Sequence, residues 1–212
     1  MIIVGLVSSY VSVDLFEKHY INEDGAIEWL TVVGLVLVSC VCFYRSVTLR
    51  SKRPIQFIAL TLLLGFVFLF VAGEEISWGQ RIFQFQSPDW FLAHNRQEET
   101  SIHNLQLGQF KVKYWIFDVG IGVTMFLYVA VMMTLYGRKK GFAREVDRWA
   151  VPIPQPYQLV SVCLMVVITQ LFLNSPRGEL TEFGGVFLVL LIIAFPRNQV
   201  IYEPETDLGP AE

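Results

Sequence analysis

The sequence predicts an all-α membrane protein, a single domain of about six transmembrane helices packed as a bundle. Its length of 212 residues suits one domain. Apolar residues make up 54% of the chain and the mean hydropathy is +0.50, which is more than a soluble protein of this size needs. Several apolar runs also approach the roughly 20 residues with which a helix crosses a bilayer. We therefore expect the chain to lie in a membrane.

Six apolar runs are the predicted spans of this transmembrane domain, residues 1–196. They cover residues 2–18, 26–44, 55–76, 112–136, 157–174 and 180–196. The first run is predicted to be a retained helix, because no Lys or Arg precedes it and no small-residue cleavage pattern follows it. The remaining residues, 197–212, are polar and contain two prolines, which predicts a disordered cytoplasmic tail.

Basic residues predict how the spans are oriented. The loops after the second and fourth predicted spans hold nine of the sixteen Lys and Arg residues. Short loops rich in Lys and Arg stay in the cytoplasm. We therefore expect a bacterial inner membrane protein with both termini in the cytoplasm and with residues 77–111 as an outer loop. Within that loop Asp89 follows Ser87-Pro88, a helix-start signal, so a short helical segment is expected in the membrane interface.

The composition also bounds the partners. The net charge is −3 and no nucleic-acid motif is present, so a nucleic-acid partner is not expected. Membrane lipids are the expected partners, and a membrane protein partner is a further alternative. The three cysteines, Cys40, Cys42 and Cys163, all lie in apolar runs, which predicts neither a disulfide framework nor a thiolate metal site.

Acidic residues collect at the predicted outer ends of the spans. Only six of the nineteen Asp and Glu residues lie on the predicted cytoplasmic side. Glu28 lies near the start of the second span, Glu74 and Glu75 end the third, and Glu179 and Glu182 open the sixth. Adjacent residues of a helix point about 100° apart, so only one of Glu74 and Glu75 can face a shared centre, and Glu75 is favoured. Glu179 and Glu182 are three residues apart and share a helix face.

The outer loop adds a second pair of candidate side chains. Glu99 and His103 are four residues apart, a spacing that places them on one face of a helix. A carboxylate so placed can orient an imidazole, or both side chains can hold one metal ion. The residues expected to support the site are Glu74, Gln80, Arg81, Asn95, Gln97, Asn104 and Glu179. Arg81 is the expected counter-ion of one of the two carboxylates that end the third span.

Two motifs give the chain a resemblance to a group of uncharacterised bacterial multi-pass membrane proteins. They are Gly-Glu-Glu-Ile-Ser-Trp-Gly-Gln-Arg at residues 73–81 and the pattern Asn-x-Gln-x-Glu-x-x-x-His-Asn at residues 95–104. Glu23-Asp24-Gly25, Glu28-Trp29-Leu30 and the pair Glu179 and Glu182 complete the likeness. The resemblance implies a shared polar site but no particular reaction.

A fainter resemblance is to the alkaline ceramidase-type membrane hydrolases. Those proteins gather acidic residues near the first helix and bind a metal ion through histidines within their spans. This chain departs from that pattern, because it has only three histidines, His19, His94 and His103, and none lies within a long apolar run. A site held by three histidines is therefore not predicted.

The first functional hypothesis is a metal-dependent hydrolase that acts on a lipid-like substrate. The expected ligands of a divalent metal ion are Glu28, Glu75, Glu99, His103 and Glu182. One imidazole and several carboxylates suit a hard or borderline divalent ion, which would lower the pKa of a bound water. The expected catalytic residues are Glu75, Glu99 and His103.

The alternative hypothesis is a non-catalytic accessory or scaffold subunit of a membrane complex. In that case the same polar groups, with Arg81, Arg96 and Arg177, form a network that holds the outer loop against the bundle. A third hypothesis, an ion-coupled carrier, requires a site near the middle of the membrane. The clustering of acidic residues at one predicted face opposes it.

Overall fold

The computed structural model describes residues 25–170 and 177–204. The first predicted span, residues 2–18, lies outside the described residues. The described chain is mostly helical, which confirms the all-α class. Its helices are α1 (Ala26–Leu49), α2 (Ile55–Glu75), α3 (Gln80–Phe83), α4 (Asp89–His94), α5 (Gly122–Tyr136), α6 (Lys140–Arg148), α7 (Pro156–Gln170) and α8 (Arg177–Ala194).

Shorter elements connect these helices. A 3-10 turn, Ser77–Gly79, joins α2 to α3, and a second one, Gln199–Tyr202, follows α8. A π-helical segment, Lys113–Ile121, runs directly into α5. Strands β1 (Gln106–Leu107) and β2 (Phe110–Lys111) form a small antiparallel hairpin before it. The sequence did not predict this hairpin.

Three of the described helical segments are long and apolar enough to cross a membrane. They are Ala26–Leu49, Ile55–Glu75 and the continuous segment Lys113–Tyr136. Helix α7 contains a shorter apolar stretch, Pro156–Met165. Helix α8 has eighteen residues, and its first two turns carry charged side chains. The structure thus agrees with a membrane placement for three of the six predicted spans.

Helix α1 is the centre of the bundle and packs against α2 and α8. Leu35 of α1 packs with Ala72 of α2, and Val38 of α1 packs with Ile193 of α8. Helix α8 also packs against α7, where Gly184 allows a close approach. A Cβ atom at Gly184 would lie only 1.8 Å from Met165 Sδ. Close packing of this kind is what holds helices together in lipid, where apolar surface alone gives no preference for association.

At the end of the bundle away from Glu75, the buried Arg45 of α1 binds the C-terminal end of α8. Its guanidinium donates hydrogen bonds to the backbone oxygens of Ile193 at 2.5 Å and Ala194 at 3.2 Å, in the last turn of α8. These carbonyls have no partner within a helix, so a charged donor satisfies them well. The same guanidinium lies 4.0 Å from the centre of the Tyr202 ring.

The prediction of a disordered tail is wrong for residues 197–204. This segment contains the Gln199–Tyr202 turn, and Ile201 is 4% exposed. Arg53 Nε donates a hydrogen bond to the backbone oxygen of Ile201 at 2.8 Å. Polar composition misled the prediction, because one apolar side chain, Ile201, packs in a buried cluster with Phe57 while Arg53 binds the backbone carbonyls of the segment. Residues 205–212 lie outside the described residues.

A short helix, α4 (Asp89–His94), forms where the sequence predicts one between the third and fourth spans, and its placement in the membrane interface stays a prediction. Trp90 is 51% exposed within the chain. The half-buried His94 ring stacks on Trp90 with a centroid distance of 4.7 Å, so this histidine contacts its own helix and not the predicted site.

We expect Arg45→Met to lower the free energy of unfolding by roughly 2–4 kcal/mol, because it leaves two helix-terminal carbonyls without a charged donor. Unfolding of the detergent-solubilised protein by dodecyl sulfate measures this change. Arg50→Met is the matched control, since Arg50 is exposed just beyond α1. Equal losses in the two variants would contradict the role assigned to Arg45.

Candidate functional site

The buried carboxylate of Glu74 fixes the polar loop, which we define as residues 95–105, to the end of α2. Glu74 Oε2 accepts hydrogen bonds from the backbone N–H groups of Ile102 at 2.5 Å and His103 at 3.3 Å. Its Oε1 accepts one from Trp78 Nε1 at 2.8 Å. Glu74 is 3% exposed, and a buried charge without such donors would cost several kcal/mol. Its predicted supporting role is therefore a structural one.

The tight turn after α2 explains the spacing of the first motif, residues 73–81. The backbone φ is 47° at Ser77, 55° at Trp78 and 77° at Gly79, all in the left-handed region. Non-glycine residues adopt this region at a cost of about 1–3 kcal/mol, so surrounding contacts must enforce it. The turn folds the Trp78 ring over Gly73, where a Cβ atom would lie 2.8 Å from the ring. The motif thus encodes a chain reversal.

Glu99 connects the polar loop to this turn. Glu99 Oε2 accepts a hydrogen bond from Ser77 Oγ at 2.5 Å, and its Oε1 lies 3.5 Å from Arg81 Nε. Arg81 also pairs with Glu28 of α1. These two partners of Arg81 come from α1 and the polar loop, and its expected pairing with a carboxylate at the end of α2 stays a prediction. The guanidinium joins three separate parts of the chain.

The amide side chains of the predicted site bind backbone and hydroxyl groups. Gln80 Oε1 accepts hydrogen bonds from Thr100 N at 2.8 Å and from Ser87 Oγ at 3.0 Å. Asn95 Nδ2 donates to the backbone oxygen of Ser101 at 2.8 Å.

Two further amides lie within the polar loop itself. The backbone N–H of Gln97 donates to Asn95 Oδ1 at 2.9 Å, and Asn104 Nδ2 donates to Gln97 Oε1. All four predicted amides, Gln80, Asn95, Gln97 and Asn104, therefore shape the polar loop. Asn95 and Asn104 are also buried, which limits their access to a ligand.

The spacing of Glu99 and His103 predicted that they share a helix face, and this prediction is wrong. The polar loop is not helical, and Glu98 has a left-handed φ of 58°. Glu99 turns toward Ser77, whereas the His103 ring packs against Phe117 with a centroid distance of 5.9 Å. A spacing of four places residues on one face only where the chain is helical.

A second cluster gathers three carboxylates, Glu75 of α2 and Glu179 and Glu182 of α8. One oxygen from each lies within 4.8 Å of the others. Lys113 Nζ lies 2.6 Å from Glu179 Oε1 and 3.9 Å from Glu182 Oε2, so one ammonium partly neutralises the three. Glu75 is 9% exposed. The arrangement agrees with the choice of Glu75 over Glu74 and with the face that Glu179 and Glu182 share.

His103 is a predicted site residue with a buried ring nitrogen that forms no hydrogen bond within the described part of the chain. It is 8% exposed, and its Nδ1 has no hydrogen-bond partner among the described residues. Burial, together with the positive charges of Lys113 and Arg81, lowers the pKa of His103 from 6.5 to about 4. The imidazole is therefore neutral at pH 7 and retains the ability to accept a proton.

The carboxylate cluster fits a hard divalent cation better than zinc. The cluster offers only carboxylate oxygens, which calcium and magnesium prefer, whereas zinc sites in proteins usually include imidazole or thiolate ligands. One oxygen of each carboxylate lies within 4.8 Å of the others. Lys113 must move aside before a cation enters. Of the five predicted metal ligands only Glu75 and Glu182 belong to this cluster.

The remaining predicted ligands serve elsewhere. Glu28 and Glu99 pair with Arg81, and no hydrogen bond or ion pair joins His103 to Glu75 or Glu182 in the described part of the chain.

Sequence reasoning missed Ser77 and Lys113 as members of the site. Ser77 is fully buried, but a serine after an acidic pair gives no signal of its own. Lys113 gave a signal: it is a basic residue at the start of an apolar run, on the side where acidic residues collect. Charge complementarity with Glu179 and Glu182 could have identified it.

No protein-family model, curated protein or solved structure matches this chain. The two resemblances drawn from sequence motifs therefore stay predictions.

Loss of the Glu74 carboxylate should release the polar loop. We expect Glu74→Ala to increase the rate of hydrogen–deuterium exchange at Ile102 and His103 by about tenfold or more, because two backbone N–H groups lose a charged acceptor. Mass spectrometry of peptides from the solubilised protein measures the change. Glu98→Gln is the control, because that side chain is exposed. Unchanged exchange in Glu74→Ala would show that other contacts hold the loop.

The burial of neutral His103 predicts a pH dependence of stability. Its folded pKa of about 4 lies below the unfolded value of 6.5, so the unfolded chain binds the proton more tightly. The stabilisation is complete above pH 6.5 and falls as the pH drops toward 4.

We expect melting temperatures of the wild type to fall more steeply than those of His103→Gln across this range. The variant Gln86→Ala, which changes an exposed side chain without a titratable group, should keep the wild-type slope. Parallel curves for wild type and His103→Gln would contradict the prediction.

Proposed function

We propose that this chain is an integral protein of the bacterial inner membrane with six spans, both termini in the cytoplasm and the polar loop on the extracytoplasmic side. Three long apolar helices support a membrane placement. The basic loop between α1 and α2 lies at the end of these helices away from Glu75, which supports this orientation.

We further propose that it acts without catalysis, as an accessory or scaffold subunit that presents the polar loop to a membrane partner. The observation that supports this proposal most directly is that the carboxylates of Glu74 and Glu99 form structural hydrogen bonds. Both carboxylates are buried and both accept hydrogen bonds that hold the loop or the turn after α2. A general base must reach a substrate proton within hydrogen-bond distance, and these two carboxylates are turned inward instead.

The separation of the predicted catalytic residues supports the same conclusion. Glu75 lies in the carboxylate cluster, Glu99 contacts Ser77 and Arg81, and His103 packs on Phe117. Within the described residues no hydrogen bond or ion pair links Glu75, Glu99 and His103 to one another. A catalytic base is normally oriented by a direct hydrogen bond from a neighbour.

A membrane partner also suits the surface of α5. Half of its side chains are exposed in the described chain, and Val129 is its one buried residue there. A helix in lipid associates through packing contacts, so a partner helix can cover this surface where lipid otherwise does.

Complementation of a deletion strain tests the non-catalytic function. We expect His103→Gln and Glu75→Gln, once folded in the membrane, to restore the wild-type phenotype, because neither change breaks a hydrogen bond that holds the polar loop. Glu74→Ala and Glu99→Ala should fail in proportion to their loss of folded protein. Folded and abundant Glu75→Gln or His103→Gln protein without function would contradict the proposal and favour catalysis.

The second candidate function is the metal-dependent hydrolase with a lipid-like substrate. The observation that favours it is the group of three carboxylates from two helices, whose oxygens lie within 4.8 Å of one another. A bound divalent ion would supply an activated water at this cluster. His103, which is neutral at pH 7, would then be the group that accepts a proton from that water.

Titration with Mn²⁺ tests this second candidate. A metal site predicts one Mn²⁺ per chain, loss of binding in Glu75→Gln, and tighter binding in Lys113→Gln, because the competing ammonium is removed. Electron paramagnetic resonance of free Mn²⁺ measures the stoichiometry, and Glu98→Gln is the control outside the cluster. The absence of stoichiometric Mn²⁺ in both wild type and Lys113→Gln would exclude this candidate.

A further inference from the structure

An open cavity of about 460 Å³ lies beside the polar loop, and none of the three carboxylates of the cluster lines it. Its walls come from the polar loop, the β1–β2 hairpin and the first turn of the segment Lys113–Ile121. The volume is within the usual range for small-molecule sites, about 300–1,000 Å³. Two of its lining residues were described above, Asn104 of the polar loop and Lys113, which also borders the carboxylate cluster.

The charge of the cavity is positive. Arg96, Lys111 and Lys113 line it, and none of its lining residues is acidic. Arg96 and Lys111 are exposed, and neither forms an ion pair with any described residue. Lys113 shares its charge with Glu179. Two cations without an ion-pair partner among the described residues, on the walls of one cavity, attract an anion.

Backbone hydrogen bonds keep the cavity wall in place. The N–H of Arg96 donates to the backbone oxygen of Asn104 at 3.2 Å, and the N–H of Val112 donates to that of Leu105 at 3.0 Å. Arg96 and Lys111 therefore sit on segments that are joined to the same stretch of the polar loop. Such a framework holds the two cations in register before a ligand arrives, which lowers the entropy lost on binding.

The aromatic residues at the rim indicate the depth of the cavity in the membrane. Tyr114 and Trp115 line it, are about half exposed, and stand edge to face with a centroid distance of 5.1 Å. They occupy the first turn of the apolar segment Lys113–Tyr136. Tyr and Trp concentrate where lipid headgroups meet the hydrocarbon region.

We propose that this cavity binds the phosphate of an anionic membrane lipid, with Arg96 and Lys111 as its charged donors. The exposed amide of Gln109 adds a neutral hydrogen-bonding group for the headgroup. The acyl chains lie along the exposed apolar surface that begins at Tyr114 and Trp115. A soluble phosphate shares the charged contacts but gains nothing from this apolar surface. The proposal goes beyond the scaffold and the hydrolase functions and depends on neither.

Quenching of Trp115 fluorescence by brominated lipid tests the proposal. The protein is placed in nanodiscs that contain brominated phosphatidylglycerol or brominated phosphatidylcholine in an otherwise identical phosphatidylcholine bilayer. The part of the quenching that Trp115→Phe removes reports the cavity. We expect this part of the quenching to be greater with brominated phosphatidylglycerol than with brominated phosphatidylcholine. In Arg96→Gln and in Lys111→Gln, about tenfold more brominated phosphatidylglycerol should be needed for the same quenching.

Arg50→Gln and Lys139→Gln, which remove exposed cations elsewhere on the chain, should leave this quenching unchanged. Equal quenching of the wild type by the two brominated lipids would by itself overturn the proposal. Wild-type quenching in folded Arg96→Gln/Lys111→Gln would overturn it also. If inorganic phosphate at millimolar concentration abolishes the selectivity for phosphatidylglycerol, the cavity takes a soluble phosphate and the lipid assignment fails.

Discussion

The buried carboxylate of Glu74 is the constraint on which the polar end of this molecule depends. It ends an apolar helix, where an unpaired charge is costly, and it finds its donors in two backbone N–H groups of Ile102 and His103 and in the indole of Trp78. A carboxylate that needs three donors therefore fixes a loop almost thirty residues further along the chain. The left-handed turn at Ser77 and Trp78 follows from the same constraint, because it brings the indole back to α2.

The polar residues divide into three groups with different physical roles. Glu74, Glu99 and the amides hold the polar loop, Glu75 with Glu179 and Glu182 concentrates negative charge against Lys113, and Arg96 with Lys111 concentrates positive charge in the adjacent cavity. Lys113 borders both charged groups. Because the first group accounts for most of the polar residues of the two motifs, a specific motif in a membrane protein can encode a loop conformation and not a reaction.

The sequence predicted those features that follow from regular helix geometry. Run lengths located α1, α2 and the Lys113–Tyr136 segment, and helix spacing placed Glu179 and Glu182 together and selected Glu75 over Glu74. Predictions failed where the chain leaves regular structure. Glu99 and His103 were placed on a helix face that does not form, since nothing in a four-residue spacing reveals the positive φ of Glu98. The order of residues 197–204 was missed because it comes from one buried apolar side chain, Ile201, and from hydrogen bonds between Arg53 and backbone carbonyls, which give a short polar segment no periodic pattern.

An experimental structure of the protein in a lipid nanodisc, at a resolution that shows carboxylate groups, tests the central claim most directly. The account predicts that the Glu74 carboxylate lies within hydrogen-bond distance of the backbone nitrogens of Ile102 and His103, with Glu99 turned to Ser77. A Glu74 side chain directed to lipid or water, with the polar loop held by other contacts or detached from α2, would contradict it.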